Sequence, residues 1–145
     1  ESTKEMYKAV KKRFSQSDIL VMAAAPADFA TKNRAKNKIK KGSNITLELT
    51  PTIDILKLLK DVKRKGQKVI GFALETENGL ENAMAKLKAK YLDIIVLNST
   101  DVGLPFDGDS DKVTLIYRNG QKEPLALMNK RELAQLLVEK IAGIK

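Results

Sequence analysis

Cysteine, histidine and tryptophan are all absent from the 145 residues. Without cysteine there is no disulfide and no thiolate metal site, a usage that fits a reducing compartment. Without histidine the usual general base, the histidine-based triads and most zinc sites are excluded. Chemistry here must run on Lys, Asp, Glu, Asn, backbone amides and a bound metal–anion pair. Aromatic residues make up only 5% of the chain, which leaves little with which to stack on a nucleic-acid single strand. The longest apolar run, residues 19–27, is interrupted by Pro26 and is far too short to span a membrane. The N-terminal residues are charged and amphipathic, so no signal peptide is expected. The eight glycines contain no G-x-G. The glycine-rich turn that opens a doubly wound nucleotide fold is therefore not found.

What is present is charge. Lysine and arginine outnumber acids 27 to 18, a formal +9, so an anionic partner is plausible on electrostatic grounds. The stretch "KNRAKNKIKK", residues 32–41, carries six of those positive charges, and no acid falls between Asp28 and Glu48. A solvated loop, a nucleic-acid patch and a clamp for a polyphosphate all fit such a run.

The pattern of apolar residues predicts alternating elements. Residues 2–14 read as a helix with a Ser2/Glu5 capping box and with Met6, Val10 and Phe14 on one face. "DILVMAAA" is continuously apolar, as a strand buried on both faces would be. "NITLELT" alternates, which predicts a strand with Ile45, Leu47 and Leu49 facing one way. Residues 51–66 read as a helix capped by Thr52 and stopped by Gly66. "KVIGFAL" and "DIIVLN" are further buried strands, separated by a helix with Leu80, Ala83, Met84 and Leu87 inward. Residues 99–111 form a turn-rich loop. Asn119-Gly120 marks a hairpin, and Asn129 with Glu132 caps a final helix. Alternation of this kind predicts an α/β, Rossmann-like fold, with a mostly parallel sheet, helices on both faces and the hairpin at the sheet edge. Length and composition predict one domain over residues 1–145.

Ligands in open α/β sheets bind beyond the carboxyl ends of the strands. Three such ends are legible: Met22-Ala23-Ala24 running into Asp28, Gly71-Phe72-Ala73 running into Glu75 and Thr76, and Leu97-Asn98. Small residues at the first would let a flat ring lie on the backbone. Asp28 could accept from ribose hydroxyls or an exocyclic amine, or simply cap a turn. Phe72 could stack on a base or pack in the core. Lys86 and Lys90 share a helix face, which suits a phosphate site and a solvated face alike.

Taken together, "AAAPADF", the ten-residue step from Asp28 to Lys38 in "KIKK", "GFALET", Lys86 with Lys90, and "DIIVLN" resemble phosphopantothenoylcysteine synthetase. That family is the synthetase half of the bacterial bifunctional coenzyme A biosynthesis protein. The resemblance implies a CTP-dependent acid–amino-acid ligase joining 4′-phosphopantothenate to cysteine. It implies nucleotide contacts from Met22, Ala23, Ala24, Asp28, Lys38, Ile53, Asp54, Ile55, Leu56, Phe72, Lys86 and Lys90, with Lys38 catalytic on the phosphates and no residue assigned to a metal. It further implies CTP with Mg²⁺, a cytoplasmic homodimer, and FMN only in a fused flavin decarboxylase half. Neither membrane nor nucleic acid is expected as a partner. Because the chain opens on a helix, the family's opening strand, with an asparagine acting on the acyl intermediate, is expected upstream. The chain would then be the C-terminal greater part of the synthetase domain. The rival readings are a basic nucleic-acid-binding module without catalysis and a fragment that only dimerises.

Overall fold

The computed structural model describes residues 2–33, 35, 37–42, 44–99 and 108–143. In chain order the elements are α1 (Thr3–Phe14), β1 (Ile19–Met22), β2 (Phe29–Thr31), β3 (Leu49–Pro51), α2 (Ile55–Leu59) running into a 3₁₀ turn (Lys60–Val62), β4 (Lys68–Glu75), α3 (Gly79–Ala89), β5 (Ile94–Ser99), β6 (Ser110–Asp111), β7 (Val113–Tyr117), β8 (Lys122–Pro124), β9 (Met128–Asn129) and α4 (Lys130–Ala142). They gather into two compact units. Residues 1–17 and 24–65 form the first, and residues 18–23 and 66–145 form the second.

The second unit is built on a five-stranded sheet in the order β1-β4-β5-β7-β8. β1, β4 and β5 are parallel, whereas β7 and β8 add as an antiparallel hairpin. Alternation along each strand divides the side chains between two faces. On one face Ile70, Ile94, Val96, Val113 and Leu115 pack with Leu133, Leu137 and Ile141 of α4. On the other lies α3, which buries Ala83 and Leu87. Its first residue, Gly79, passes so close to the sheet that a Cβ there would stand 3.6 Å from Leu97 Cδ2. α4 begins with the expected box: Asn129 Oδ1 accepts from the Glu132 amide at 2.9 Å, and Glu132 accepts in return from the Asn129 amide. The hairpin turns at Gly120, whose φ of +89° suits glycine. A small antiparallel pair, β6 with β9, has no counterpart in the sequence prediction.

Several expectations need correction. β1 is not buried on both faces: it is the sheet's terminal strand, and Ile19 and Val21 remain 44% and 47% exposed. The strand expected over 44–50 contracts to β3, which pairs only with β2 in a two-stranded ribbon. A ribbon of two strands has no core to bury an alternating face, so Ile45, Leu47 and Leu49 stay exposed. The helix expected over 51–66 is the five-residue α2 plus its 3₁₀ turn. Asp54 caps it instead of Thr52, accepting from the Lys57 amide at 3.0 Å. Leu80, expected inward on α3, is also exposed. The loop expected at 99–111 lies for the most part outside the described residues.

The first unit holds α1, the β2–β3 ribbon and α2. α1 opens with the predicted capping box, in which Ser2 Oγ accepts from the Glu5 amide at 3.2 Å. Its Phe14 is buried, as are Ile55, Leu56 and Leu59 of α2.

Candidate functional site

In the second unit, the parallel strands end side by side. β1 pairs in register with β4, so Met22 lies opposite Gly71, the residue before Phe72, and Ala23 follows as the chain leaves β1. The Met22 side chain is buried and Ala23 is exposed, leaving only backbone and a methyl group at that strand end. Phe72 is 42% exposed and Leu74, on the same face, 45%, although β4 lies between β1 and β5 in the sheet. Phe72 projects on the α4 side of the sheet, in the same parity as Ile70. An aromatic ring left open at a strand's carboxyl end is a surface on which a flat ring can lie.

The opposite face of the same strand end carries charge. Lys86 Nζ donates to Glu75 Oε1 at 2.5 Å. Asn82 Nδ2 donates to Glu75 Oε2 and to the Glu77 carbonyl, each at 3.1 Å. The Lys86 ammonium holds the Glu75 carboxyl below the usual carboxylate range; burial opposes this and Asn82 adds to it. The turn from β4 into α3 makes the meeting possible. Asn78 takes a left-handed φ of 51°, and Gly79 leaves room for Glu75, whose Cβ would stand 3.4 Å from a Cβ at that position. Lys90 closes α3, its amide donating to the Lys86 carbonyl at 3.0 Å. At the end of β5, Asn98 Nδ2 donates to Asp111 Oδ1 at 3.0 Å.

In the first unit, Ala24 and Asp28 are exposed, and Lys38 lies in the irregular stretch between β2 and β3 with its side chain open to solvent. Asp28 sits just before β2. Its carbonyl accepts from the Thr52 amide at 2.8 Å, and Thr52 Oγ1 donates to the Ala27 carbonyl at 2.6 Å. Of the four consecutive residues 53–56, Ile53 and Asp54 are exposed, whereas Ile55 and Leu56 turn their side chains into the interior. What Ile55 and Leu56 leave for a ligand is backbone. A depression of about 690 Å³, lined by Met6, Pro26, Phe29, Pro51 and Ile53 among others, opens in this unit.

Positive charge is divided unevenly between the units. The first carries sixteen lysines and arginines against six acids, and the second eleven against twelve, so the excess is +10 in one and −1 in the other. Among the described residues no group of three or more acids stands ready to hold a metal ion, and no helix is long and apolar enough to cross a membrane.

Glu75 and Asn82 are the residues that sequence reasoning left without a role. A signal for them exists: Asn82, Lys86 and Lys90 are spaced i, i+4, i+8, which puts Asn82 on the lysine face of α3.

A mostly parallel sheet with small residues and an aromatic ring at its carboxyl ends, and with Lys86 reaching the end of β4, defines an open α/β-sheet domain, a class in which ligands bind beyond the carboxyl ends of the strands. More narrowly, the chain belongs to the family of the DNA/pantothenate metabolism flavoprotein C-terminal domain, whose model matches residues 1–144. It is 40% identical over 142 residues to a cysteine/cysteine sulfinic acid decarboxylase from an unknown prokaryotic organism, covering 97% of this chain and 40% of that protein. It is 38% identical over 146 residues to the coenzyme A biosynthesis bifunctional protein CoaBC of Bacillus subtilis strain 168, covering 99% of this chain and 36% of that one. Among solved structures, the crystal structure of the C-terminal domain of CoaBC superposes with a TM-score of 0.78 at 33% identity, covering 97% of this chain and 61% of that one. The chain thus spans about two fifths of the length of these curated relatives.

Proposed function

We propose that the chain is the C-terminal greater part of a phosphopantothenate–cysteine ligase domain in coenzyme A biosynthesis, and that it handles CTP. The observation that carries this reading is family membership over residues 1–144, joined to 38% identity with a CoaBC protein. The exposed Phe72 and the lysine face of α3 are consistent with it.

In the proposed reaction, a carboxylate oxygen of 4′-phosphopantothenate attacks the α-phosphorus of CTP. The bond to pyrophosphate breaks and an acyl-cytidylate forms. The cysteine amine then attacks the acyl carbon, the bond to CMP breaks, and the ammonium proton is lost as the amide forms. The first step sets one anion against another, so fixed cations are its main requirement. Lys38 is assigned to the triphosphate as the catalytic lysine, and Lys86 and Lys90 are assigned to the nucleotide as well. Phe72 takes the base, and Met22, Ala23 and Ala24 lie along the nucleotide. Asp28 accepts from its polar groups, and residues 53–56 line the pocket. No step in this scheme needs histidine. Mg²⁺ has no dedicated cage among the described residues; it enters as the counter-ion of the triphosphate, belonging to the co-substrate.

The partners assigned are CTP, 4′-phosphopantothenate, cysteine and a second copy of the chain. The exposed apolar ribbon, with Phe29 at 58% and Leu49 at 57%, favours the last of these. A cytoplasmic location and a fused flavin decarboxylase half follow from the same reading. FMN belongs to that half, and no residue here is assigned to it.

The 40% identity to a cysteine decarboxylase supports a second reading, in which the chain serves a protein acting on cysteine alone. One assay separates the two. The full-length protein, given CTP, 4′-phosphopantothenate and cysteine, should release CMP only when all three are present. Loss of CO₂ from cysteine without CTP would favour the second reading.

A further inference from the structure

Glu75 has no place in the proposed reaction, yet it is shielded and held at both oxygens at the end of β4. Its side chain is only 13% exposed, whereas that of Lys86 is 46% exposed. Both of its oxygens are engaged, one by Lys86 and the other by Asn82. A glycine at position 79 leaves it room, and an asparagine in a left-handed conformation at position 78 shapes the turn after it. A surface ion pair whose acid is shielded, doubly bonded and built into a strand-to-helix turn differs from the usual pair of mobile side chains.

We infer that Glu75 is a positioning residue: it holds the Lys86 ammonium at the carboxyl end of β4, ready for an anionic phosphate. This rests on the CTP reading above. An ammonium has three donors, and the bond to Glu75 uses one of them. The other two remain for ligand oxygens. A lysine stem has several rotatable bonds, and freezing it at binding costs affinity. Glu75 meets that cost during folding, so the ligand does not. The carboxylate's own repulsion toward a phosphate works in the opposite direction. It is weakened because Lys86 and Asn82 already engage both oxygens, and solvent around the exposed ammonium screens it further.

The test is a double-mutant cycle on CTP affinity, measured by calorimetry on this chain with Glu75→Gln, Lys86→Gln and the double variant. If Glu75 acts through Lys86, Glu75→Gln weakens CTP binding about fivefold with Lys86 in place. In the Lys86→Gln background it changes binding less than about twofold. In NMR spectra the two ε-protons of Lys86 should be inequivalent in the parent chain and merge in Glu75→Gln. The same loss in both backgrounds would mean that Glu75 only shapes the turn, and that result overturns the inference. No loss, or tighter binding in Glu75→Gln, also overturns it. If the parent chain binds no CTP, the functional reading itself has failed, which the first titration reveals on its own.

Discussion

Thr52 is tied twice to the segment that carries Asp28. Its hydroxyl donates to the Ala27 carbonyl at 2.6 Å, and its amide donates to the Asp28 carbonyl at 2.8 Å. The segment 26–28 has no strand or helix of its own, so these bonds, together with the ribbon that follows, fix the direction in which Asp28 leaves the backbone. Thr52→Val keeps the branched shape and the amide bond but deletes the hydroxyl. It should destabilise the chain by about 0.5–1 kcal/mol in urea unfolding, the usual worth of one such hydrogen bond. It should also weaken CTP binding through Asp28.

Lys38 makes no hydrogen bond or ion pair with another described residue, and its exposed side chain gives the fold little. Lys38→Gln should leave thermal stability within about 0.5 kcal/mol of the parent. In the full-length protein the same change should slow CTP-dependent pyrophosphate release by roughly a hundredfold or more, the cost of one strong electrostatic donor. Normal release by the variant would remove Lys38 from the mechanism.

Tyr117 offers a pH-dependent check on the second unit. Burial pushes its phenol up to about 12, and the hydroxyl's bond to Glu123 at 2.8 Å adds to this. Glu123 is itself held below the usual carboxylate range, first by Lys140 and then by Tyr117. The folded phenol titrates above its ordinary value of 10.0. Its stabilising contribution is therefore complete below pH 10 and is lost as pH rises toward about 12. Tyr117→Phe should abolish the latest phenolate step in ultraviolet absorbance. Glu123→Gln should move that step downward. For Glu123 the sign reverses: its contribution is present at neutral pH and is lost as pH falls through its depressed value.

The core predicts larger effects. Leu115 is fully buried among Ile94, Val96 and the inward face of α4. Leu115→Ala should cost about 2–5 kcal/mol, whereas removing the helix cap with Asn129→Ala should cost about 1 kcal/mol. Chemical denaturation of both variants checks the ratio.

Features that depend on neighbours in sequence were the legible ones. The capping boxes at Ser2 and Asn129 need only a residue three positions on, and the Asn119-Gly120 turn is two residues long. Runs such as "DIIVLN" announce a buried strand by composition alone. What failed depended on distant partners. Both Thr52 and Asp54 can cap a helix, and the choice was made by the Ala27 carbonyl, which claims the Thr52 hydroxyl from 25 positions away. The apolar run holding Ile19 and Val21 reads as an interior strand, and its place at the sheet's end is a matter of what pairs with it. The alternation of Ile45, Leu47 and Leu49 promised a buried face that a two-stranded ribbon cannot supply. Within the candidate site, Phe72 and Lys86 stood out by position. The Glu75–Lys86 pair did not, because a turn separates its two members.

The most direct test of the account is a calorimetric titration of the 145-residue chain with CTP and, separately, with ATP, each with Mg²⁺. A pocket that pairs its own polar groups with one base edge leaves them unpaired when another base enters. The account predicts saturable CTP binding at least about tenfold tighter than ATP binding, with CTP also raising the melting temperature. Equal or tighter binding of ATP, or no binding of CTP, would contradict it.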